Sequence, residues 1–230
     1  MRGTTRKMKA QRDRGPGVEP RPVPEAIETL KAMAEPRKFD QTVELALHLG
    51  IDPKQADQAL RGSMSLPKGT GKTKRVIAFC EGEIAEQAKQ AGAIEAGGDE
   101  LIAKIEGGWL EFDVAIAHPQ IMRKVGKLGR TLGTRGLMPS PKNGTVTPEV
   151  VEAVRKNASG SEVFYRNDDG GNLHVVVGKL SFSADDLREN IEAFVAHVRR
   201  IKPPAAKGQY IKRACIAATM SPSVTLALSA

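Results

Sequence analysis

The stretch RVIAFCEGEIAEQAKQAGAIEA, residues 75–96, holds a complete strand–helix–strand unit. RVIAFC (75–80) is a short apolar run of strand length. EIAEQAKQAG (83–92) has helical spacing with a glycine at its end, and AIEA (93–96) is a second short apolar run. The rhythm continues outward. DELIAKIEGG (99–108) reads as a helix capped by Asp99, DVAIA (113–117) as a strand, and PQIMRKVGKLGRTLG (119–133) as a helix opened by Pro119. A further helix, PEVVEAVRKNASG (148–160), ends on glycine. Short apolar strands alternating with helices predict βαβ units and a mainly parallel sheet covered by helices.

On both sides of this segment the period changes to two. Val43, Leu45, Leu47 and Leu49 alternate with Thr42, Glu44, Ala46 and His48, which predicts a half-buried strand closed by Gly50. Before it, Pro24 opens a helix with Ile27, Leu30, Met33 and Ala34 on one face, and Arg61–Leu66 reads as a short strand. Beyond residue 160, SEVFYRND and LHVVVGKL flank Asp169-Gly170-Gly171-Asn172, a hairpin signal. A long amphipathic helix follows, with Leu187, Ile191, Phe194, Val195 and Val198 on one side, and then two strands, YIKRACIAATM and SVTLAL. Neither chain end makes a two-layer domain alone. Together they predict an α+β sandwich built from 25–68 and 161–230, with the βα segment 69–160 inserted and a basic, Pro/Gly-rich extension at 1–24. The two crossings, with Pro67, Gly69 and Gly160, would form a hinge.

Lys and Arg number 35 against 27 Asp and Glu, so the chain carries +8, and that excess favours a polyanionic partner, nucleic acid first. The order of the charges is more telling than their sum. No carboxylate occurs between Asp113 and Glu149, where Arg123, Lys124, Lys127, Arg130, Arg135 and Lys142 fall. None follows Glu192, and a third basic cluster runs from Arg2 to Arg14. Aromatic residues make up only 4%, which argues against recognition by rows of stacked bases. The longest apolar runs are far shorter than the ~18 residues of a membrane span. The basic N-terminus lacks the apolar core of a secretory signal. Cys80 and Cys215 sit in apolar runs without metal spacing and read as buried, reduced cysteines.

Several chemical motifs are incomplete. Gly69-Thr70-Gly71-Lys72-Thr73 resembles the end of a phosphate-binding loop, but Leu66 stands where the first glycine belongs and a strand follows. His48, His118, His174 and His197 are widely separated, so neither a metal set nor a nucleophile–base pair is present in sequence. The glycine- and arginine-rich stretch 128–148 reads as a long irregular loop, suited either to phosphate contact or to a structural role. Spacing alone makes Phe39 a core residue. Two rival functions stay open at this level: a nucleotide-dependent βα enzyme and a free-standing RNA-binding regulator.

RGSMSLPKGTGK (61–72), LGTRGLMPSPKNGTVTP (132–148), YRND (165–168) and KGQYIKRACIAATMSPSV (207–224) resemble, in collinear order, the bacterial form of the large-subunit ribosomal protein L-one family. Two positions depart from the family pattern: Thr134 stands where proline is usual, and Ser221 where glycine is usual. The resemblance implies a discontinuous α/β-sandwich RNA-binding domain with an inserted three-layer, Rossmann-like βα domain. It implies no enzyme, no cofactor and no metal. Its implied partners are the stalk segment of the large rRNA near the E site, E-site tRNA and the mRNA of its own operon, in a cytoplasmic ribosome with no membrane contact. The implied RNA-binding residues are Phe39, Thr42, Thr219, Met220 and Ser221, with Lys38, Arg166 and Asp168. If glycine at position 221 serves a left-handed backbone, serine there is costly.

Overall fold

The structure is a computed structural model that describes residues 19–34, 37–55 and 57–228. The basic cluster Arg2–Arg14 and most of the 15–24 stretch lie outside the described residues. The chain divides into two compact units, one holding the described residues up to Gly71 together with Val163 onward, the other Lys72–Glu162.

The first unit opens with helix α1 (Val23–Met33), which follows Pro22 and has proline in its first turn, where a missing N–H costs nothing. Its buried face is Ala26, Ile27 and Leu30. In strand β1 (Thr42–Leu49), Val43, Leu45, Leu47 and Leu49 are all buried, as the alternation predicts. Strand β2 (Arg61–Ser65) is short and largely open. The chain leaves this unit after Gly71, so Pro67 and Gly69 lie within it, and Gly160 lies within the second unit.

In the second unit, β3 (Val76–Phe79), helix α2 (Glu83–Gln90), β4 (Glu95–Gly97), helix α3 (Asp99–Glu106) and β5 (Val114–Ala117) form a parallel sheet in the order β4-β3-β5. Gly98, not Asp99, precedes α3, and no side chain caps that helix. Asp99 is already helical, and its carboxylate accepts a bond from Lys124 at 2.9 Å. After β5 the run 119–134 is helical throughout, but broken. It passes from a 3-10 turn at Pro119–Ile121 to α4 (Met122–Val125), a second 3-10 turn at Gly126–Leu128 and α5 (Gly129–Thr134). The irregular loop expected from residue 128 therefore begins only at Arg135. Ile121, Val125, Leu128 and Leu132 keep one buried face along the run despite its glycines, and packing outweighs their low helix propensity. Helix α6 (Val150–Ala158) and α2 cover the opposite face of the sheet, giving three layers.

Strand β6 (Glu162–Arg166) then pairs with β2, not with the strand that follows it. The expected hairpin is therefore only a corner. Its turn is present, with Asp168 N–H bonded to Asn172 O at 2.9 Å, but one isolated bridge, Asn167 to Leu173, is all that joins β6 to β7 (Asn172–Lys179). Helix α7 (Ala184–Arg200) is capped by Ser183, whose hydroxyl accepts the Asp186 N–H at 3.0 Å, and it buries every apolar residue predicted for its inner face. Strands β8 (Ile211–Ala218) and β9 (Val224–Leu226) complete an antiparallel sheet in the order β7-β1-β8-β9. Helices α1 and α7 cover one face of this sheet, and side chains of its other face, such as Ala46 and His174, remain accessible.

One buried side chain ties the first unit together. Asn190, on α7, accepts the Lys68 N–H at 3.0 Å and donates to Gly69 O at 2.9 Å and Val177 O at 2.8 Å. Lys68 also pairs with Asp186 and Glu189 on the same helix.

Candidate nucleic-acid interface

At one end of the four-stranded sheet β1 begins while β7 and β8 finish. The register sets Thr42 opposite Lys179 and Val43 opposite Ala218, with an irregularity beside it where Val43 faces Gly178 and Glu44 faces Val176. Such bulges twist a strand end and re-aim its side chains. Thr219 N–H donates to Thr42 O at 3.0 Å, the Thr42 N–H donates to the Thr219 hydroxyl at 3.2 Å, and that hydroxyl lies 3.3 Å from Thr42 O. Lys179 Nζ donates to the Thr42 hydroxyl at 2.9 Å and lies 3.4 Å from Asp40 O. The Asp40 carboxylate takes the Ser181 hydroxyl at 2.7 Å.

The turn after β8 is closed by Ser221 N–H on Ala218 O at 2.9 Å. Met220, inside it, has φ 63°, the one non-glycine left-handed residue among those described. A bulky side chain there costs on the order of 1–2 kcal/mol, yet Met220 is 62% exposed and gains little packing in return. Ser221 itself is not left-handed, so the family's glycine is not required there for φ, and the expected penalty is absent. Phe39 is 50% exposed and stands just before β1; the core role that spacing alone suggested for it is overturned. Lys38 is exposed beside it. This end of the sheet thus gathers Lys38, Phe39, Thr42, Thr219, Met220 and Ser221. It adds Asp40, Lys179 and Ser181, which no local pattern connects across some 140 residues of chain.

Arg166 and Asp168 are elsewhere. They lie beside the start of β7, whose Asn172 faces His48 near the end of β1. Six residues of strand at ~3.4 Å each separate that end from Thr42, roughly 20 Å. Asp168 organises its own turn: the carboxylate accepts the N–H of Asn172 at 2.7 Å, the N–H of Gly170 at 2.9 Å and the Asn172 amide at 3.0 Å. These bonds, the Asn172 side chain foremost, hold its carboxyl below the ordinary range. Arg166 is exposed.

The other motifs lead to no reaction centre. Gly69 and Gly71 are left-handed, but the chain continues into β3 rather than into a helix, so no phosphate-binding loop forms. His48 bonds Asn172 at 2.8 Å and His197 bonds the Tyr165 hydroxyl at 2.9 Å. Among the described residues no group of three His, Cys, Asp or Glu could hold a metal, and no helix is long and apolar enough to cross a membrane. Cys80 is buried, Cys215 is half-buried, and both are free. Thr134 ends α5, its hydroxyl within 3.2 Å of the Arg130 and Thr131 carbonyls.

An exposed aromatic, an exposed thioether, hydroxyls and two lysines on a rigid strand end can stack on a base or sugar while bonding phosphate and 2′-OH groups. The family model described as the ribosomal protein L1p/L10e family matches residues 30–222. The large ribosomal subunit protein uL1 of Cutibacterium acnes is 50% identical over 88% of this chain and 87% of its own length. The uL1 proteins of Beutenbergia cavernae and Saccharophagus degradans are 52% and 50% identical, over 88% and 89% of this chain and 84% and 87% of theirs. With most of its length matched in both ways, the chain belongs to the ribosomal protein L1p/L10e family.

Proposed function

We propose that this protein is a non-enzymatic component of the large ribosomal subunit in the cytoplasm and binds the stalk segment of its rRNA through the sheet end around Thr42 and Thr219. The observation that carries this reading is Met220: an exposed apolar side chain on a left-handed backbone, beside exposed Phe39. Strain without internal packing fits a group shaped for an external partner. Lys38 and Lys179 add attraction to phosphate.

The separation of Arg166 from Thr42 supports a second part of the reading. With rRNA held at one end of the sheet, the other end stays free for a second RNA, and departing tRNA at the E site is the one we favour. Repression of its own operon would follow if the mRNA carried a mimic of the rRNA site, because one surface would then serve both. Sequencing RNA crosslinked to the protein in cells tests all three. Reads should concentrate on the large-rRNA stalk, with lesser peaks on tRNA and on the operon leader. An RNA profile without the stalk overturns the proposal.

A further inference from the structure

The second unit has a cationic face that the sheet-end site does not use. Within the helical run 119–134, Ile121, Val125, Leu128 and Leu132 face the core at spacings of four, three and four. That pattern leaves Arg123, Lys127 and Arg130 outside at spacings of four and three, and all three are exposed. Residues so spaced on a helix are neighbours, about 5–6 Å apart. Arg135 and Lys142, in the loop that follows, are exposed as well.

Among the described residues none of these five forms an ion pair, while Lys124, within the same run, is held by Glu81 and Asp99 at 3.1 and 2.9 Å. The contrast is informative. A solvated helix face normally mixes signs; here one cation is neutralised by acids from two other loops, and the stripe beside it meets no carboxylate in the segment from Asp113 to Glu149. The second unit as a whole carries nearly as many acids as bases, so its positive charge is concentrated on this side. Thr134 in place of the usual proline leaves the run helical to its end, its hydroxyl turned back on Arg130 O.

We infer that Arg123, Lys127 and Arg130, with Arg135 and Lys142, form a second RNA contact, one that engages the phosphate backbone without reading sequence. A row of point charges on a rigid helix matches a ladder of phosphates, and nothing on this face reads bases: no aromatic side chain lies between Arg123 and Lys142. The inference rests on the RNA-binding reading of the protein, but it assigns the contact to a different unit.

The test is the salt dependence of binding by the full chain, with two probes: the large-rRNA stalk fragment and a scrambled RNA hairpin of equal length. Each phosphate neutralised adds roughly 0.7–0.9 to the slope of log affinity on log salt. An Arg123→Gln, Lys127→Gln, Arg130→Gln variant should therefore lose about 2 from the slope with both probes. At 0.1 M salt its binding should weaken on the order of ten- to a hundred-fold. The ratio of stalk to hairpin affinity should not change, and an Arg123→Lys, Arg130→Lys variant should keep the wild-type slope. Unchanged slope and affinity overturn the inference, and so does a changed ratio, because the face would then be reading sequence. If the stalk fragment shows no preference over the hairpin, the sheet-end reading fails, while the hairpin slope still decides the role of this face. Binding of acidic proteins with the RNA slopes unaltered also overturns it.

Discussion

Thr42 and Thr219 lie 177 residues apart in sequence and close a reciprocal pair: backbone N–H to carbonyl at 3.0 Å one way, backbone N–H to hydroxyl at 3.2 Å the other. Replacing Thr219 by valine keeps the shape and removes the hydroxyl. A hydrogen bond of this kind contributes about 0.5–1.5 kcal/mol, which for a chain of this size lowers the melting temperature by about 2–4 °C per kcal/mol. Specific RNA affinity should fall at least tenfold, read by gel shift against calorimetric melting. Full affinity with the lowered melting temperature would make Thr219 structural only.

Met220 separates stability from binding. Met220→Gly relieves the left-handed backbone and should raise stability by up to about 1 kcal/mol in urea titration, while specific RNA binding weakens because the side chain is gone. Met220→Asp should abolish specific binding with the fold intact by circular dichroism. If Met220→Gly binds as the wild type does, the thioether is not a contact.

Ser221→Gly tests the departure from the family pattern. Because Ser221 is not left-handed, glycine relieves nothing there. It should destabilise slightly, by about 0.4–1 kcal/mol through the freer unfolded chain, and leave RNA affinity within twofold. A clear gain in affinity would mean that the RNA approaches the backbone at 221 and needs the missing Cβ.

Asp168 makes stability depend on acid. Its carboxyl is held below the ordinary 3.8 by bonds from Asn172 and Gly170. A depressed native value gives stability that is present above pH 3.8 and is lost as pH falls through the native value. Asp168→Ala should therefore be less stable than the wild type at pH 7, and the two urea midpoints should converge below about pH 3. A gap that persists at low pH would mean that the turn does not depend on the charge.

Asn190→Leu should be the most destabilising of these changes. It strands the Lys68 N–H and the Gly69 and Val177 carbonyls in a buried site, which costs on the order of 3 kcal/mol or more. Urea unfolding measures it, and a loss under 1 kcal/mol would show that other groups or water take up those bonds.

Where the chain stayed local, its structure was legible. Val43, Leu45, Leu47 and Leu49 declare a one-sided strand, and Leu187 to Val198 a helix face, because burial follows the period of each element. Turn chemistry at Asp168–Asn172 announced a reversal but not the partner of β6, which is β2, about a hundred residues earlier. The glycines of 126–136 suggested a loop, and only the spacing of Ile121, Val125, Leu128 and Leu132 shows the helix beneath them. Asp99 was one residue too late to be a cap. In the site, Phe39, Thr42, Thr219 and Met220 came from the family resemblance; their spacing alone would have buried Phe39. Lys179, Asp40 and Ser181 were missed because sheet register alone brings them together. Arg166 and Asp168 were grouped with them, and the strand length sets them apart.

The Asn190 contacts also mark where the chain can be cut. Residues 68–71 belong to the first unit's interior even though they border the second, so an excision that begins at residue 69 removes Gly69, one of the partners of Asn190. One that joins Gly71 to Val163 through a short flexible bridge leaves all three bonds whole. For anyone grafting another module into this scaffold, the usable sockets are Gly71 and Val163, and the asparagine keeps the first of them in shape whatever is plugged in.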